Sequence, residues 1–349
     1  MADALADPRP IQAAYDLDAS FRPLRWLGNR HAQSVLPDLP IRRWWLGRRL
    51  RPVLAASRPL LVDCGEGVRL RAFHSSHAHG GGTAGGRVAL LVHGWEGSAS
   101  SVYVLSLAEL LYARGFEVVR LNLRDHGRTH HLNRELFHSC RLAEVVGAAR
   151  QLQARFGGRP LHLAGFSLGG NFVLRVAALA REAGLAVAQA VAVSPVLDPA
   201  ATLEALESGV GAYHRYFMHK WKRSLSLKEA AWPGDYDFST LRKITSLRRM
   251  TVELVRRYTE FSSLEEYLDG YALVGPRLAR LEVPATIITA LDDPIIPARS
   301  LERLAPSAAL RVVATRRGGH CGFLDRALAW TWAERRAAAE LDAGAAGRR

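Results

Sequence analysis

"LAGFSLGGN", residues 163–171, sets a serine between glycines two positions away on either side, after an apolar run and ahead of a helix-forming one. "PLHLAG" (160–165) is short, continuous and apolar, as a buried strand is, and "NFVLRVAALAREAG" (171–184) repeats with helical period. Gly165-Phe166-Ser167-Leu168-Gly169 is thus a G-x-S-x-G pentapeptide at a strand-to-helix turn. Such a turn lifts the serine Oγ above the sheet and brings strand and helix so close that a Cβ at Gly165 or Gly169 would clash. The helix start behind Ser167 offers free N–H groups and the positive end of a dipole, and Leu168 N–H is the natural donor to a developing oxyanion. The pattern points to Ser167 as a nucleophile.

Outward from this turn the chain alternates strand and helix. "VALLVHG" (88–94), "EVVRLNL" (117–123), "PLHLAG" and "AQAVAVSP" (188–195) read as strands, separated by helices over 102–115, 141–158 and 171–184. "ATIITALDD" (285–293) and "LRVVATR" (310–316) follow, then a final helix from about Leu324. Ahead of the series, "PLLVD" and "VRLRAFH" flank Cys64-Gly65-Glu66-Gly67 as an antiparallel hairpin, and "HAHGGGTAGG" (77–86) reads as a flexible loop. Regular alternation predicts an α/β fold, a mostly parallel central sheet with helices on both faces. The alternation breaks between about Ala200 and Pro284, where aromatic clusters, basic residues and helical patterns predict a helical cap insertion. The expected organisation is an N-terminal segment (1–58) packing on the core, a core in two parts (59–199 and 285–349) and the cap (200–284).

A nucleophilic serine needs a base, and the base an orienting carboxylate; in this kind of sheet they follow in the order Ser, acid, His at strand ends. "TALDDPIIP" ends a strand with Asp292 and Asp293, and "RRGGHCGF" places His320 in a glycine-flanked loop after the last strand. The second oxyanion donor is expected from "HGWEGS" (93–98), with Trp95 N–H the candidate and His93 a brace for that loop. Asp125 and Gly127 of "LRDHG" read as a structural turn, and Cys321 as a small residue packed behind the site.

The 349 residues are 48% hydrophobic and 23% charged, an ordinary globular composition. Three widely spaced cysteines without a CxxC pair, no run long enough to span a membrane, and an opening "MADALADPRP" without an apolar leader core predict a cytoplasmic, disulfide-free protein without a signal peptide. The net charge of +14 concentrates in 22–51, with eight arginines against Asp38, and in 214–257, with eleven Lys/Arg against four acids. Solvated surface is the favoured reading of both; no nucleic-acid motif accompanies them, while contact with an anionic membrane remains open. "IRRWWLGRRL" (41–50) fits an interfacial contact, although tryptophans packed on the core with arginines outside are favoured. The histidine sets His74/His77/His79 and His126/His130/His131/His138 lack metal-ligand spacing with a carboxylate, so no metal and no cofactor are expected.

These residues resemble the α/β-hydrolases, and more narrowly the YheT-like and abhydrolase-domain esterases, which act on carboxylic esters and acylglycerol-type lipids. "FRPLRWLGNRHAQS" (21–34) is similar to that branch's N-terminal segment, and "HGWEGS", "GFSLGGN", "DDPIIP" and "GGHCGF" to its core motifs. The resemblance implies Ser167 as nucleophile, Asp293 as acid, His320 as base, and Trp95 and Leu168 as oxyanion donors. Departures lie at "NLRDHG" and in the cap, which bear on substrate rather than chemistry. The expected function is hydrolysis of a small-molecule or lipid-like carboxylic ester, short-to-medium acyl chains ahead of long ones because the cap is so basic. An acyltransferase or thioesterase on the same residues, or a catalytically silent scaffold, are the alternatives.

Overall fold

The structure, a computed structural model, describes residues 15–24, 27–77, 86–325 and 330–346. The opening decapeptide, residues 25–26 of the N-terminal motif, most of the 77–86 loop and His79 lie outside the described residues. Nine strands are described: β1 (Asp16–Leu17), β2 (Ser57–Asp63), β3 (Arg69–Ser75), β4 (Val88–Val92), β5 (Glu117–Leu121), β6 (Leu161–Phe166), β7 (Val187–Val193), β8 (Ala285–Ala290) and β9 (Leu310–Thr315). They form one sheet in the order β1-β9-β8-β7-β6-β4-β5-β3-β2. β2 and β3 are the expected antiparallel hairpin, and β3 pairs antiparallel with β5. Every other pairing is parallel.

Period-2 geometry sorts the buried strands between two layers. Ala89 and Leu91 of β4 face a core shared with α2 (Pro40–Ala55), α3 (Val102–Tyr112) and α10 (Trp332–Ala346). Leu90 and Val92 face the opposite core, packed by α4 (Leu142–Arg155) and α5 (Leu168–Ala178). β4 is flanked by β5 on one side and β6 on the other, so the strand order reverses there. At such a reversal the loops leaving the C-terminal strand ends splay apart and open a crevice. The loop after β4 and the turn after β6 both enter it.

Between β7 and β8 the chain forms α6 (Pro199–Ser208), α7 (Gly211–Ala231), α8 (Leu247–Tyr258) and α9 (Leu264–Asp269). α7 is tied to the core by Lys228, fully buried, whose Nζ donates to Asp125 Oδ1 at 2.9 Å and to the carbonyls of Asn133 at 2.6 Å and Glu135 at 2.9 Å. Asp125, at φ +59°, also accepts from Phe137 N–H, so "LRDHG" is a structural turn whose carboxylate anchors the overlying helix. Part of the basic charge of 214–257 is used internally: Lys228 here, Arg242 on Glu229, and Arg256 and Arg257 on Glu253.

Three local expectations are corrected. α5 begins at Leu168 rather than 171, because Ser167 itself caps it, and it ends at Ala178 rather than 184. The last helix begins at Trp332, not near Leu324. Thr331 and Glu334 form a capping box there, Thr331 N–H donating to Glu334 Oε2 at 2.8 Å and Glu334 N–H to Thr331 Oγ1 at 3.3 Å. The T-x-x-E signal is visible in the sequence. The tryptophans of α2 do not pack on the core: Trp44 is 76% exposed and Trp45 42%. The inward face of α2 is instead Arg42, Leu46, Leu50 and Val53. Arg42 takes it because its guanidinium meets the buried Glu334, at 2.7 Å from Oε1 and 2.5 Å from Oε2, with Ser106 donating to the same carboxylate at 2.6 Å.

Removing one partner of such a pair leaves an uncompensated buried charge. Glu334→Ala is expected to lower the unfolding free energy by about 3–5 kcal/mol, whereas Arg42→Met with Glu334→Leu recovers most of it. Urea unfolding checks this; a loss under about 1 kcal/mol in the single variant would contradict the role given to the pair.

Candidate active site

Ser167 sits at φ +52°, ψ −119°, a backbone region that side-chain-bearing residues rarely adopt. The turn is held by its neighbours: Ser167 N–H donates to Val193 O at 2.9 Å, and Ser167 O accepts from Asn171 N–H at 3.0 Å. The glycine requirement has two distinct causes. A Cβ on Gly165 would overlap the Gly169 carbonyl, as the sequence reading expects of strand against helix. A Cβ on Gly169 would instead strike the carbonyls of Val92 and His93, at the end of the adjacent strand β4.

The crevice brings together the three residues singled out from the sequence. His320 Nε2 lies 3.0 Å from Ser167 Oγ, and His320 Nδ1 lies 2.9 Å from Asp293 Oδ2. The other Asp293 oxygen accepts from the N–H groups of Ile295 at 2.8 Å and Ile296 at 2.9 Å, which fixes the carboxylate plane. Burial works against a charged His320, but the Asp293 carboxylate, with Cys321 alongside, raises its pKa well above the ordinary histidine value. Asp292 meets its own backbone and also reaches beyond its turn. Its Oδ1 accepts from Gly319 N–H at 3.0 Å and so steadies the loop carrying His320. Cys321 lies beside the imidazole rather than behind it, Sγ 3.8 Å from His320 Nε2, at φ +55°.

The loop after β4 is braced by two histidines that work as neutral rings. Leu123 N–H donates to His93 Nε2 at 3.2 Å, so Nδ1 carries the proton and donates to Gly94 O at 2.7 Å. By the same logic Glu96 N–H donates to His126 Nε2 at 3.1 Å, and His126 Nδ1 donates to Arg124 O at 2.7 Å. Burial pushes His93 well below its ordinary value and His126 to about 4, which suits both to this arrangement. Trp95 stacks on Phe217 of α7 at 5.1 Å and meets Trp221 edge-on at 5.1 Å, while Lys220 Nζ donates to Glu96 O at 3.1 Å. Leu168, first residue of α5, has no intrahelical acceptor for its N–H. Ser167, Leu168, Trp95 and His320 all line one cavity of about 720 Å³, walled by the loop after β4, α1 (Arg30–Val35) and the helices between β7 and β8.

The sequence reading misses the residues that hold the histidine loop from the N-terminal side. His320 N–H donates to Ser34 Oγ at 2.8 Å, and Ser34 Oγ donates on to Arg30 O at 2.7 Å. Gln33, fully buried, donates from Nε2 to the carbonyls of Leu27 at 2.8 Å and Leu324 at 2.9 Å, and accepts from Leu324 N–H at 2.6 Å. A Cβ on Gly322 would overlap Gln33 O, so α1 rests directly on this loop. The signal available was an Asn29 N-cap opening a short helix with a glutamine inside, in the stretch already noted as a motif. Among the described residues no group of three His, Cys, Asp or Glu side chains is placed to hold a metal. His74 instead meets Glu117 at 2.6 Å and His130 meets Ser224 at 2.8 Å.

A doubly wound sheet with a glycine-flanked serine at its strand-order reversal is the α/β-hydrolase architecture. The chain belongs to the α/β-hydrolase family: the model described as "Alpha/beta hydrolase family" matches residues 89–334. It is YheT-like, 30% identical over 319 residues to "Putative esterase YheT" of Escherichia coli (strain K12), covering 89% of this chain and 88% of that one. Among solved structures it resembles that of "a membrane phospholipase A, a novel bacterial virulence factor", with TM-score 0.55 at 20% identity over 87% of this chain and 93% of that one. It also resembles Est1E from Butyrivibrio proteoclasticus bound to ferulic acid, with TM-score 0.51 at 14% identity over 82% and 99% of the two chains. Family membership makes the protein a hydrolase.

The two adjacent aspartates differ in what they touch, and that difference is measurable. Asp293→Asn is expected to cost about 10⁴ in kcat on an activated ester, because the acid fixes the imidazole tautomer and stabilises the imidazolium. Asp292→Asn is expected to cost far less and to show mainly as a lower melting temperature. The reverse ranking would overturn the assignment.

Proposed function

We propose that this hydrolase cleaves carboxylic esters of lipid-like, acylglycerol type through a Ser167–His320–Asp293 triad. The observation that carries the reading is the continuous hydrogen-bonded row from Asp293 through His320 to a serine held at a strained turn above the sheet. His320 Nε2 takes the Ser167 proton as Oγ attacks the ester carbonyl. Negative charge then gathers on the carbonyl oxygen, where the N–H groups of Leu168 and Trp95 receive it; each such donor is worth about 3 kcal/mol of barrier. The imidazolium returns the proton to the departing alkoxide, leaving an acyl group on Ser167. Water, deprotonated by His320, attacks that acyl group, and the proton passes back to Ser167 as the acid leaves.

The cavity bears on the acyl chain. The expectation of short-to-medium chains rested on a basic, closed cap. The site instead has an apolar wall, including Leu203, Leu206, Leu254 and Val255, and a mouth edged by exposed Val35, Leu39, Val210 and Tyr216. Such a wall favours a longer acyl chain by burying it. On a p-nitrophenyl ester panel, kcat/KM is expected to rise from C4 to C8 and to hold at C16. Ser167→Ala is expected to abolish turnover at every length. Turnover surviving in Ser167→Ala would refute the mechanism.

The pH dependence follows from His320. The base must be neutral, so activity falls as pH drops through its pKa, and since that pKa is raised, the acid limb of kcat/KM is expected above 6.5. Burial pushes Glu96, which also lines the cavity, up to about 7, against the pull of Lys220. Glu96→Gln therefore serves as the control, and the limb is expected to persist in it. A limb at or below 6.5 in both proteins would contradict the electrostatic account of His320.

A further inference from the structure

Twelve large apolar side chains are exposed among the described residues, and seven of them gather in two short stretches: Val35, Leu39, Ile41, Trp44 and Trp45 in one, Val210 and Tyr216 in the other. Ile41, Trp44, Trp45 and Arg48 fall at i, i+3, i+4 and i+7 and so form one stripe along α2. That stripe lies away from the buried face of Arg42, Leu46, Leu50 and Val53. Leu39 and Val35 continue it to the cavity, whose wall they form. Val210 and Tyr216 stand on the other lip, which α1 meets through His31 Nδ1 and Tyr213 Oη at 3.0 Å. The exposed apolar surface is therefore continuous with the entrance to Ser167.

Its charge is as one-sided as its shape. α2 contains five arginines and no acid. Arg42 is paired with Glu334 and Arg49 lies 4.0 Å over the Trp330 ring. Arg43, Arg48 and Arg51 are exposed and form no ion pair among the described residues. Exposed tryptophans prefer the headgroup level of a bilayer, where the ring is buried and the N–H stays wet, and nearby arginines gain from anionic headgroups. A second copy of this chain is a poor occupant, since it would set arginines against arginines. No described helix is long and apolar enough to cross a membrane.

We propose that the α2 stripe is a docking surface for an anionic phospholipid bilayer, which sets the cavity mouth against the membrane so that a lipid-like ester enters without crossing water. The docking itself stands without the esterase reading; only what passes through the mouth rests on it.

Co-sedimentation with vesicles of phosphatidylcholine, alone or with one quarter phosphatidylglycerol, tests this with the full chain. Wild type and Ser167→Ala are expected to bind the anionic vesicles alike, and to bind neutral ones about tenfold or more weakly. Trp44→Ala with Trp45→Ala, and separately Arg48→Glu with Arg51→Glu, are expected to lose about tenfold or more in binding to anionic vesicles. Both are expected to keep turnover of a water-soluble p-nitrophenyl ester within about twofold of wild type, which shows that they fold. Undiminished binding by either double variant, or no binding by wild type, overturns the proposal. So does a wild-type dimer in sedimentation velocity that the tryptophan variant dissolves, since the stripe is then an interface between copies. Wild type that binds anionic vesicles yet hydrolyses no ester supports docking and refutes the esterase reading alone.

Discussion

The close approach of three backbone segments around Ser167 is the constraint on which the site depends. Strand β6, the first turn of α5 and the end of β4 come together with no room for a Cβ at Gly165 or Gly169. This contact fixes the serine at a left-handed φ, points its Oγ into the crevice, and places the loop after β4 against the start of α5. Glu96 at φ +56°, Ser194 at +44° and Cys321 at +55° cluster near the same point. Strained residues of this kind persist only where the surroundings over-determine them, at a cost of order 1–3 kcal/mol each.

Those surroundings are polar and largely neutral. His93 and His126, each spending both ring nitrogens on backbone groups, set the loop that carries Trp95. From above, α7 holds the same loop through aromatic contact and Lys220, and is itself pinned by the buried Lys228–Asp125 pair. From the N-terminal side, Gln33 and Ser34 hold the loop of His320. One histidine of the three meets a carboxylate, and that is the one whose pKa rises.

Much of this was legible in the sequence, for local reasons. The strands of the central sheet are buried on both faces and so read as unbroken apolar runs, and the serine, aspartate and histidine sit in turns whose glycines and prolines mark them. The order of these turns along the chain was enough to put Ser167, Asp293 and His320 in one crevice. What was missed depends on partners far away in the chain. Ser34 and His320 are 286 positions apart, and nothing near either announces the contact. The outward turn of Trp44 and Trp45 follows from Arg42 facing Glu334 across 292 positions, which reverses the packing that hydrophobicity alone suggests. Asp292 reaches Gly319, 27 positions on in another loop, and nothing near either residue announces that contact.

The central claim is that Ser167 is the nucleophile of this row, and its nearest rival is the Cys321 thiol, 3.8 Å from the same His320 nitrogen. The most direct measurement is peptide mapping by mass spectrometry after reaction with a fluorophosphonate. The account predicts a single stoichiometric adduct on the peptide bearing Ser167, formed in step with loss of esterase activity and absent from Ser167→Ala. An adduct on Cys321, or full inactivation without an adduct on Ser167, would contradict it.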